Sequence, residues 1–166
     1  MNGAGFKLGQ LLHTSLVLYS MTHVLQWNIR GYRANHTELQ TLLALKTPAV
    51  VALQETKLKH DYICQQLHYK TFRHDIQSPT IAHGGVALLV HFSVPSYSFR
   101  LRTSIQAVAA TVDFGQHKAT IVYVYLPPSE AFPEEALNNL IQQLPANYIL
   151  LGDFNAHHTM WGCPRT

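Results

Sequence analysis

Apolar residues in this chain come in short runs separated by polar turns, and their spacing predicts an alternation of strands and helices. The unbroken apolar run at residues 49–53 is typical of a buried strand. Leucines recur at helical spacing in residues 37–45, and a similar apolar stripe in residues 133–144 predicts a second helix. Further strands are predicted at residues 23–29, 86–90, 98–101, 105–114, 119–125 and 148–151.

The order of these elements favours two sheets packed face to face with helices outside them, an α/β arrangement. Gly115 and Gln116 separate two strand-like runs and predict a hairpin turn. Residues 56–68 are mixed in character, and we expect a short helix there. No internal repeat, low-complexity tract or linker interrupts the pattern.

Composition agrees with one folded domain and excludes several classes of protein. The chain has 166 residues with 47% hydrophobic content, so an intrinsically disordered protein is not expected. The excess of Lys and Arg over Asp and Glu gives a net charge of +3, which permits nucleic-acid binding without requiring it. No run approaches the roughly 20 apolar residues that span a bilayer. Cys64 and Cys163 lack a metal-binding or redox spacing and are interpreted as free thiols of an intracellular protein.

Polar side chains follow three of the predicted strands, at the point where each strand ends. Asn28 ends the first run, Glu55 follows the run at residues 49–53, and Asp153 and Asn155 follow the last run. Strand ends are where layered α/β proteins build their sites. An oxygen-rich pocket of carboxylates and amides suits Mg²⁺ and a phosphate ester.

Five short motifs in this chain resemble those of endonuclease/exonuclease/phosphatase (DNase I-like) domains, in the same order. They are Trp27-Asn28, Gln54-Glu55-Thr56, His83-Gly84-Gly85-Val86-Ala87, Val124-Tyr125-Leu126-Pro127 and Gly152-Asp153-Phe154-Asn155. Four longer segments are similar in sequence to the N-terminal endonuclease of non-LTR retrotransposons of the jockey and I-factor kind. They are WNIRGYRAN, LQETK, YLPP and GDFNAHHTMWG. The resemblance covers residues 21–166 and implies a four-layer α/β sandwich of two mixed sheets flanked by helices.

The resemblance also implies roles for the residues at the strand ends. Glu55 matches the ligand of Mg²⁺, for which Mn²⁺ could substitute, and Asn28 would orient Glu55 or a metal-bound water. Asp153 matches the residue that orients or deprotonates the attacking water, and Asn155 the residue that contacts the scissile phosphate. Tyr125 precedes the Leu-Pro pair and would donate a hydrogen bond to a phosphate oxygen.

Other residues near the motifs have competing interpretations. Tyr123 points the same way as Tyr125 by alternation and is the competing choice for the phosphate contact. Four basic residues flank the motifs and are candidate contacts to DNA phosphates, although isolated surface bases are usually only solvated: Arg30, Arg33, Lys57 and Lys59. His157, with its neighbour His158, follows the last motif directly and is interpreted as part of a substrate-binding loop beside the site.

The chain departs from the family pattern at its C-terminal end. Family members finish with a Ser-Asp-His segment that supplies a catalytic histidine and an acidic partner, and no such tripeptide occurs in these 166 residues. We therefore expect residues 21–166 to be the N-terminal portion of the domain, with the sandwich incomplete at its C-terminus. Residues 1–20 are expected to be a leader outside the domain.

The function implied for the parent domain is DNA nicking by metal-dependent phosphodiester hydrolysis. In an intact element the nick would prime reverse transcription, so the expected partners are DNA and a reverse transcriptase domain, with access to the nucleus. We expect weak or no activity from this chain alone. The alternatives are a non-catalytic remnant of such a domain and a phosphatase of the same superfamily.

Overall fold

A computed structural model describes residues 23–78, 81–127 and 134–155 of the chain. These residues form strands and helices in an order that alternates much as the sequence pattern predicts. The elements are β1 (Val24–Asn28), α1 (His36–Lys46), β2 (Val50–Gln54), β3 (Tyr69–His74), β4 (Val86–His91), β5 (Ser96–Phe99), β6 (Gln106–Asp113), β7 (Lys118–Tyr125), α2 (Glu134–Ile141) and β8 (Tyr148–Asp153).

The strands form two four-stranded sheets, and each sheet mixes parallel and antiparallel neighbours. The first sheet has the order β1-β2-β4-β3 and the second has the order β5-β6-β7-β8. β1 runs parallel to β2, and β7 runs parallel to β8, whereas the other neighbours are antiparallel. A parallel pair needs a crossover connection. The segments that contain α1 and α2 supply these two crossovers.

Apolar side chains fill three layers, one between the sheets and one beneath each helix. Alternate residues of β2 point to opposite faces, so Val50 belongs to the cluster between the sheets while Leu53 belongs to the cluster beneath α1. On the second sheet, Leu140 of α2 packs in one cluster with Val122 and Val124 of β7. The result is a helix, two sheets and a second helix in layers, which confirms the predicted four-layer α/β sandwich.

Burial on both faces explains the unbroken apolar run of β2. All five of its residues are buried, because one face meets the second sheet and the other meets α1. The hairpin predicted at Gly115 is also present: β6 and β7 pair across it, and Gly115 has a φ of 88°. None of the helices within the described residues is both long and apolar enough to span a bilayer.

The sequence pattern was wrong in three places. β3 was not predicted, because its residues carry Lys70, Arg73 and His74 and it has apolar side chains on both faces rather than on one. β5 lies at Ser96–Phe99, two residues before the predicted start. Residues 56–68 contain no helix; the buried Leu58 is held in the cluster beneath α1 by an irregular segment. The predicted leader, residues 1–20, lies outside the described residues.

Candidate active site

Four strands end at the same edge of the sandwich, and several of the predicted site residues lie at or just after these ends. In the parallel pair β1 and β2, Asn28 is opposite Gln54; in the parallel pair β7 and β8, Tyr125 is opposite Asp153. Parallel strands in register end side by side, so each sheet presents two strand ends together. Hydrogen bonds then join the two sheets at this edge, including one of 2.9 Å from Gln54 Nε2 to Asp153 Oδ2.

Glu55 follows β2 directly, and three donors surround its carboxylate. Oε1 accepts a hydrogen bond from Asn28 Nδ2 at 2.9 Å and another from the Tyr125 hydroxyl at 3.2 Å. Oε2 lies 3.6 Å from the ammonium of Lys57. The Asn28 hydrogen bond lowers the pKa of Glu55 most; burial opposes it, and Tyr125 and Lys57 lower it further. Glu55 is therefore ionised at neutral pH, and its side chain remains 23% exposed to incoming ligands.

The amide of Asn28 is engaged at both ends. Its Nδ2 donates to Glu55, while its Oδ1 accepts the backbone N–H of Arg30 at 3.2 Å. The amide therefore presents its NH₂ group to the carboxylate and fixes where the carboxylate points. The structure thus brings Asn28 to Glu55, and the orienting role of Asn28 in catalysis stays a prediction.

Asp153 and Asn155 form a tight local turn at the end of β8. The backbone N–H of Asn155 donates to Asp153 Oδ1 at 3.1 Å, while Asp153 Oδ2 accepts the hydrogen bond from Gln54. The side-chain amide of Asn155 donates to the Leu126 carbonyl at 2.8 Å. Both carboxylate oxygens of Asp153 are thus held in place. One N–H of the Asn155 amide is used locally, so its predicted contact with phosphate stays a prediction.

The two competing tyrosines have different neighbours. Tyr125 donates to Glu55, whereas the Tyr123 hydroxyl donates to Gln54 Oε1. Because they alternate along β7, both face the first sheet and reach two consecutive residues at the end of β2. The structure therefore brings Tyr125 to Glu55, the predicted metal ligand, and Tyr123 to the buried Gln54 that precedes it.

The backbone at this edge is strained. Four non-glycine residues here adopt left-handed φ values: Arg30 at 48°, Glu55 at 52°, Lys57 at 51° and Asn155 at 44°. Such a conformation costs about 1–2 kcal/mol for a residue with a Cβ. It persists where surrounding contacts enforce it, and it is concentrated at functional sites. One such contact is the 2.8 Å hydrogen bond from the Gly31 N–H to the Glu55 carbonyl.

Two glycines let backbone segments approach closely around the carboxylates. Gly85 has a φ of 85°, and its carbonyl accepts the Thr56 N–H at 3.1 Å, which secures the segment after Glu55. A Cβ added at Gly152 would overlap the Val124 carbonyl oxygen and lie 3.2 Å from its carbon. Only glycine at this position lets β8 lie close enough to β7 to deliver Asp153 to Gln54.

A basic groove of about 540 Å³, whose lining also includes the acid Asp61, reaches Lys57, the ion-pair partner of Glu55. Arg33, Lys57, Lys59 and Tyr62 are among its lining residues, and the Arg33 guanidinium lies 5.8 Å from the centre of the Tyr62 ring. Cations beside an aromatic face suit a nucleic-acid strand. Arg30 is exposed on the neighbouring loop. Its contact with substrate stays a prediction.

The donor set fits a divalent cation. The described residues include no group of three or more His, Cys, Asp or Glu side chains that could hold a metal. Mg²⁺ does not need such a cage, since it is commonly bound by one or two carboxylates and keeps several waters. The Lys57 ammonium beside Glu55 shows that the carboxylate already accommodates a positive charge. Glu55 is the residue best placed to hold the ion.

The histidines predicted beside the site are not among the residues that the structure describes, whereas Gln54 and Tyr123 form a contact that the sequence did not predict. His157 and its neighbour His158 lie outside the described residues. Gln54 was part of a recognised motif, and Tyr123 was a competing choice, but the bond between them was not predicted. The sequence did contain a signal for this contact. A glutamine at the end of a fully buried strand needs hydrogen-bond partners, so Gln54 could be expected to bind polar side chains of the other sheet.

Comparisons with known proteins identify sequences related to this chain. The model of the Endonuclease/Exonuclease/phosphatase family matches residues 25–166. A probable RNA-directed DNA polymerase from transposon X-element of Drosophila melanogaster is 23% identical over 145 residues, covering 86% of this chain and 16% of that protein. The RNA-directed DNA polymerase from mobile element jockey of the same species is 27% identical over 152 residues, covering 84% and 15%. The chain thus spans about a sixth of the length of these curated relatives.

Solved structures of similar fold include nucleases. The endonuclease domain of TRAS1, a telomere-specific non-LTR retrotransposon, has a TM-score of 0.65 and 22% identity, covering 86% of this chain and 64% of that one. A 3′ phosphatase from Neisseria, bound to a product DNA hairpin, has a TM-score of 0.60 and 22% identity, covering 80% and 57%. At this level of identity the likeness shows the fold alone.

Proposed function

Because the chain belongs to the endonuclease/exonuclease/phosphatase family, as its five ordered motifs predict, we propose that its parent domain nicks DNA by metal-dependent phosphodiester hydrolysis. The observation that carries the proposal is that Glu55 and Asp153 both lie at one edge of the sandwich, where β2 and β8 end. Glu55 is supported from the other sheet by Tyr125, and Asp153 by Gln54. Two separately positioned carboxylates can divide the work of binding a cation and accepting a proton.

The roles of the residues follow from their surroundings. Glu55 would hold the cation, with Asn28 fixing the direction of its carboxylate. Mg²⁺, or Mn²⁺ in its place, would neutralise charge on the phosphate oxygens. Asp153 accepts the proton of the attacking water, and it has lone pairs available beyond the two that already accept hydrogen bonds. Asn155 and Tyr125 remain the candidates for contact with the phosphate.

DNA is the proposed substrate because the basic groove reaches the ion-pair partner of Glu55. Lys57 lines the groove and is 3.6 Å from Glu55, so the groove and the candidate active site are continuous. The Drosophila relatives are RNA-directed DNA polymerases, and we propose that the nick supplies the 3′-hydroxyl from which such a domain extends. That role requires access to nuclear DNA.

We further propose that these 166 residues alone are weakly active. They contain no Ser-Asp-His segment, which the family pattern uses for a histidine and an acidic partner. A positioned acid–base group contributes about 10²–10⁴-fold to rate, so nicking should rise by that order when a relative's Ser-Asp-His segment is appended. Strong nicking by the chain alone would contradict this part of the proposal.

Plasmid nicking tests the function directly. Supercoiled plasmid is incubated with the chain and Mg²⁺, and nicked circles are counted for wild type, Asp153→Ala and Asp113→Ala. Asp113 is a matched control because it lies at the distant β6–β7 hairpin, where it pairs with Lys118. The expected result is weak nicking that Asp153→Ala abolishes and Asp113→Ala preserves.

Two other outcomes separate the alternatives. Release of inorganic phosphate from a 3′-phosphorylated oligonucleotide, without nicking, would favour a phosphatase. Nicking that is equal in wild type and Asp153→Ala would reflect contamination, and the remnant interpretation would then hold.

A further inference from the structure

Gln54 is a buried amide that links the two sheets behind the candidate active site. It is the last residue of β2 and is only 3% exposed. Its Nε2 donates to Asp153 Oδ2 at 2.9 Å, and its Oε1 accepts a hydrogen bond from the Tyr123 hydroxyl. Gln54 thus belongs to the first sheet while both of its partners belong to the second.

The chemistry of the partners fixes the orientation of the amide. An ionised carboxylate can only accept, so the NH₂ group of Gln54 must face Asp153 and its carbonyl oxygen must face Tyr123. Burial, and then the negative charge of Asp153, raises the pKa of Tyr123, so its phenol stays protonated and remains a donor at neutral pH. Asp153 therefore selects the amide orientation, and Tyr123 donates to the amide oxygen that this orientation turns towards it. A flipped amide would set oxygen against oxygen.

The backbone of Asp153 is held by β7, since its carbonyl accepts the Leu126 N–H at 3.0 Å, so the support from Gln54 acts on the side chain. Within the described residues, β8 pairs with β7 and with no other strand. Apart from the turn bond to Asn155, the described hydrogen bond to the Asp153 carboxylate comes from Gln54. A general base that is already in place avoids reorganisation during the reaction.

We propose that Gln54 and Tyr123 act as a positioning pair that orients Asp153 for proton transfer. The proposal deepens the proposed function and rests on it. It predicts that loss of either member slows turnover while substrate affinity is retained, because neither side chain lies at the surface where DNA would bind. The competing explanation is that the pair only satisfies two buried polar groups.

The chain contains a matched control for that competing explanation. Gln66 and Tyr32 form a second buried glutamine–tyrosine pair, with Gln66 Nε2 donating to the Tyr32 hydroxyl at 2.8 Å. Gln66 is 5% exposed and Tyr32 is 1% exposed. This pair lies on the outer side of the first sheet, in the cluster beneath α1.

The first arm of the experiment does not depend on activity. Hydrogen exchange of the Gln54 side-chain NH₂ is followed by NMR in wild type, Tyr123→Phe and Asp153→Ala. Both variants are expected to exchange at least about tenfold faster than wild type, because each removes one of the bonds that hold the buried amide. Unchanged protection in both variants would overturn the proposal.

The second arm measures nicking kinetics on a duplex oligonucleotide in Mg²⁺. Tyr123→Phe and Gln54→Leu are expected to lower kcat by about 10–100-fold, the usual effect of losing a partner that orients an active-site group, and to change KM by less than about twofold. Tyr32→Phe and Gln66→Leu are expected to lower Tm to a similar degree without lowering kcat. If Gln54→Leu does not fold, the comparison of kcat in Tyr123→Phe with kcat in Tyr32→Phe tests the positioning role.

The outcomes of the two arms distinguish the proposals. Equal loss of kcat in the two tyrosine variants, or no loss in Tyr123→Phe, would overturn the positioning role. Absence of Asp153-dependent nicking by wild type would count against the proposed function instead. The exchange arm would then still show whether the hydrogen bonds from Tyr123 and to Asp153 hold the Gln54 amide in place.

Discussion

Replacing Glu55 with glutamine preserves the shape of the side chain and removes its charge. Asn28, Tyr125 and Lys57 all present donors or positive charge to this carboxylate. A hydrogen bond to a charged group contributes about 1.5–3 kcal/mol, compared with about 0.5–1.5 kcal/mol for a neutral one. The Lys57 pair is half exposed and contributes little. We therefore expect the metal-free variant to lose about 1 kcal/mol of stability, or about 2–4 °C in Tm for a chain of this length.

The larger difference is expected when Mg²⁺ is added. A ligand that binds only the folded state adds about 2.7 kcal/mol to stability at a concentration of 100 Kd. If the substitution weakens binding by about 100-fold, the same concentration equals the new Kd and adds only about 0.4 kcal/mol. The rise in Tm that Mg²⁺ produces in wild type should therefore almost vanish in Glu55→Gln.

Thermal unfolding at constant ionic strength, with and without Mg²⁺ and then with Mn²⁺, measures this difference. Glu38→Gln is the control, since Glu38 is an exposed acid in the first turn of α1 and its loss changes the net charge equally. Its Mg²⁺-dependent rise in Tm should equal that of wild type. A rise of the same size in Glu55→Gln would refute the assignment of Glu55 as the ligand.

Three further predictions follow from the same edge of the sandwich. Lys57→Met should tighten Mg²⁺ binding by about two- to fivefold, because the ammonium no longer competes for Glu55; an unchanged Kd by calorimetry would refute the competition. Gly152→Ala should lower the unfolding free energy in urea by about 1–3 kcal/mol through overlap with the Val124 carbonyl, and a wild-type midpoint would contradict it. Because the pKa of Glu55 is lowered in the folded protein, its ionised form stabilises the fold above the ordinary glutamate pKa of about 4.3, and this contribution is lost as pH falls through the folded value. When the pH is lowered from about 7 to about 3.5, the Tm of Glu55→Gln should therefore fall by less than the Tm of Glu38→Gln. Equal falls in Tm would show that ionisation of Glu55 does not stabilise the fold.

Much of the fold could be predicted because its elements obey simple periodicities. β2 and β4 are apolar over nearly their whole length, as strands buried on both faces must be, and α2 has a clear apolar stripe. β3 was not predicted because both of its faces are partly covered. Its polar residues also interrupt the alternation of apolar and polar positions that marks a strand with one buried face. Arg73 in β3 donates to the His60 carbonyl at 3.0 Å and pairs with the buried Asp75 at 3.2 Å. Only tertiary structure shows that partnership.

The candidate site was predictable in its parts and not in its connections. Glu55 and Asp153 were identified because each follows an apolar run, and that is a local property of the sequence. Local patterns do not state which residue of one sheet meets which residue of the other. The bond from Gln54 to Asp153 joins residues 99 positions apart, and the bond from Tyr125 to Glu55 joins residues 70 apart. Nor does sequence spacing indicate that Glu55 adopts a left-handed φ of 52°.

These long-range bonds imply that the site forms only when the sheets are packed together. Glu55 belongs to the first sheet and is oriented in part by Tyr125 of the second, whereas Asp153 belongs to the second sheet and is held by Gln54 of the first. Each carboxylate therefore depends on the opposite sheet for its position. A change that loosens the core between the sheets would displace both carboxylates at once, even though it touches neither. The chemistry at this edge is thus coupled to the packing of the whole sandwich rather than to either loop alone.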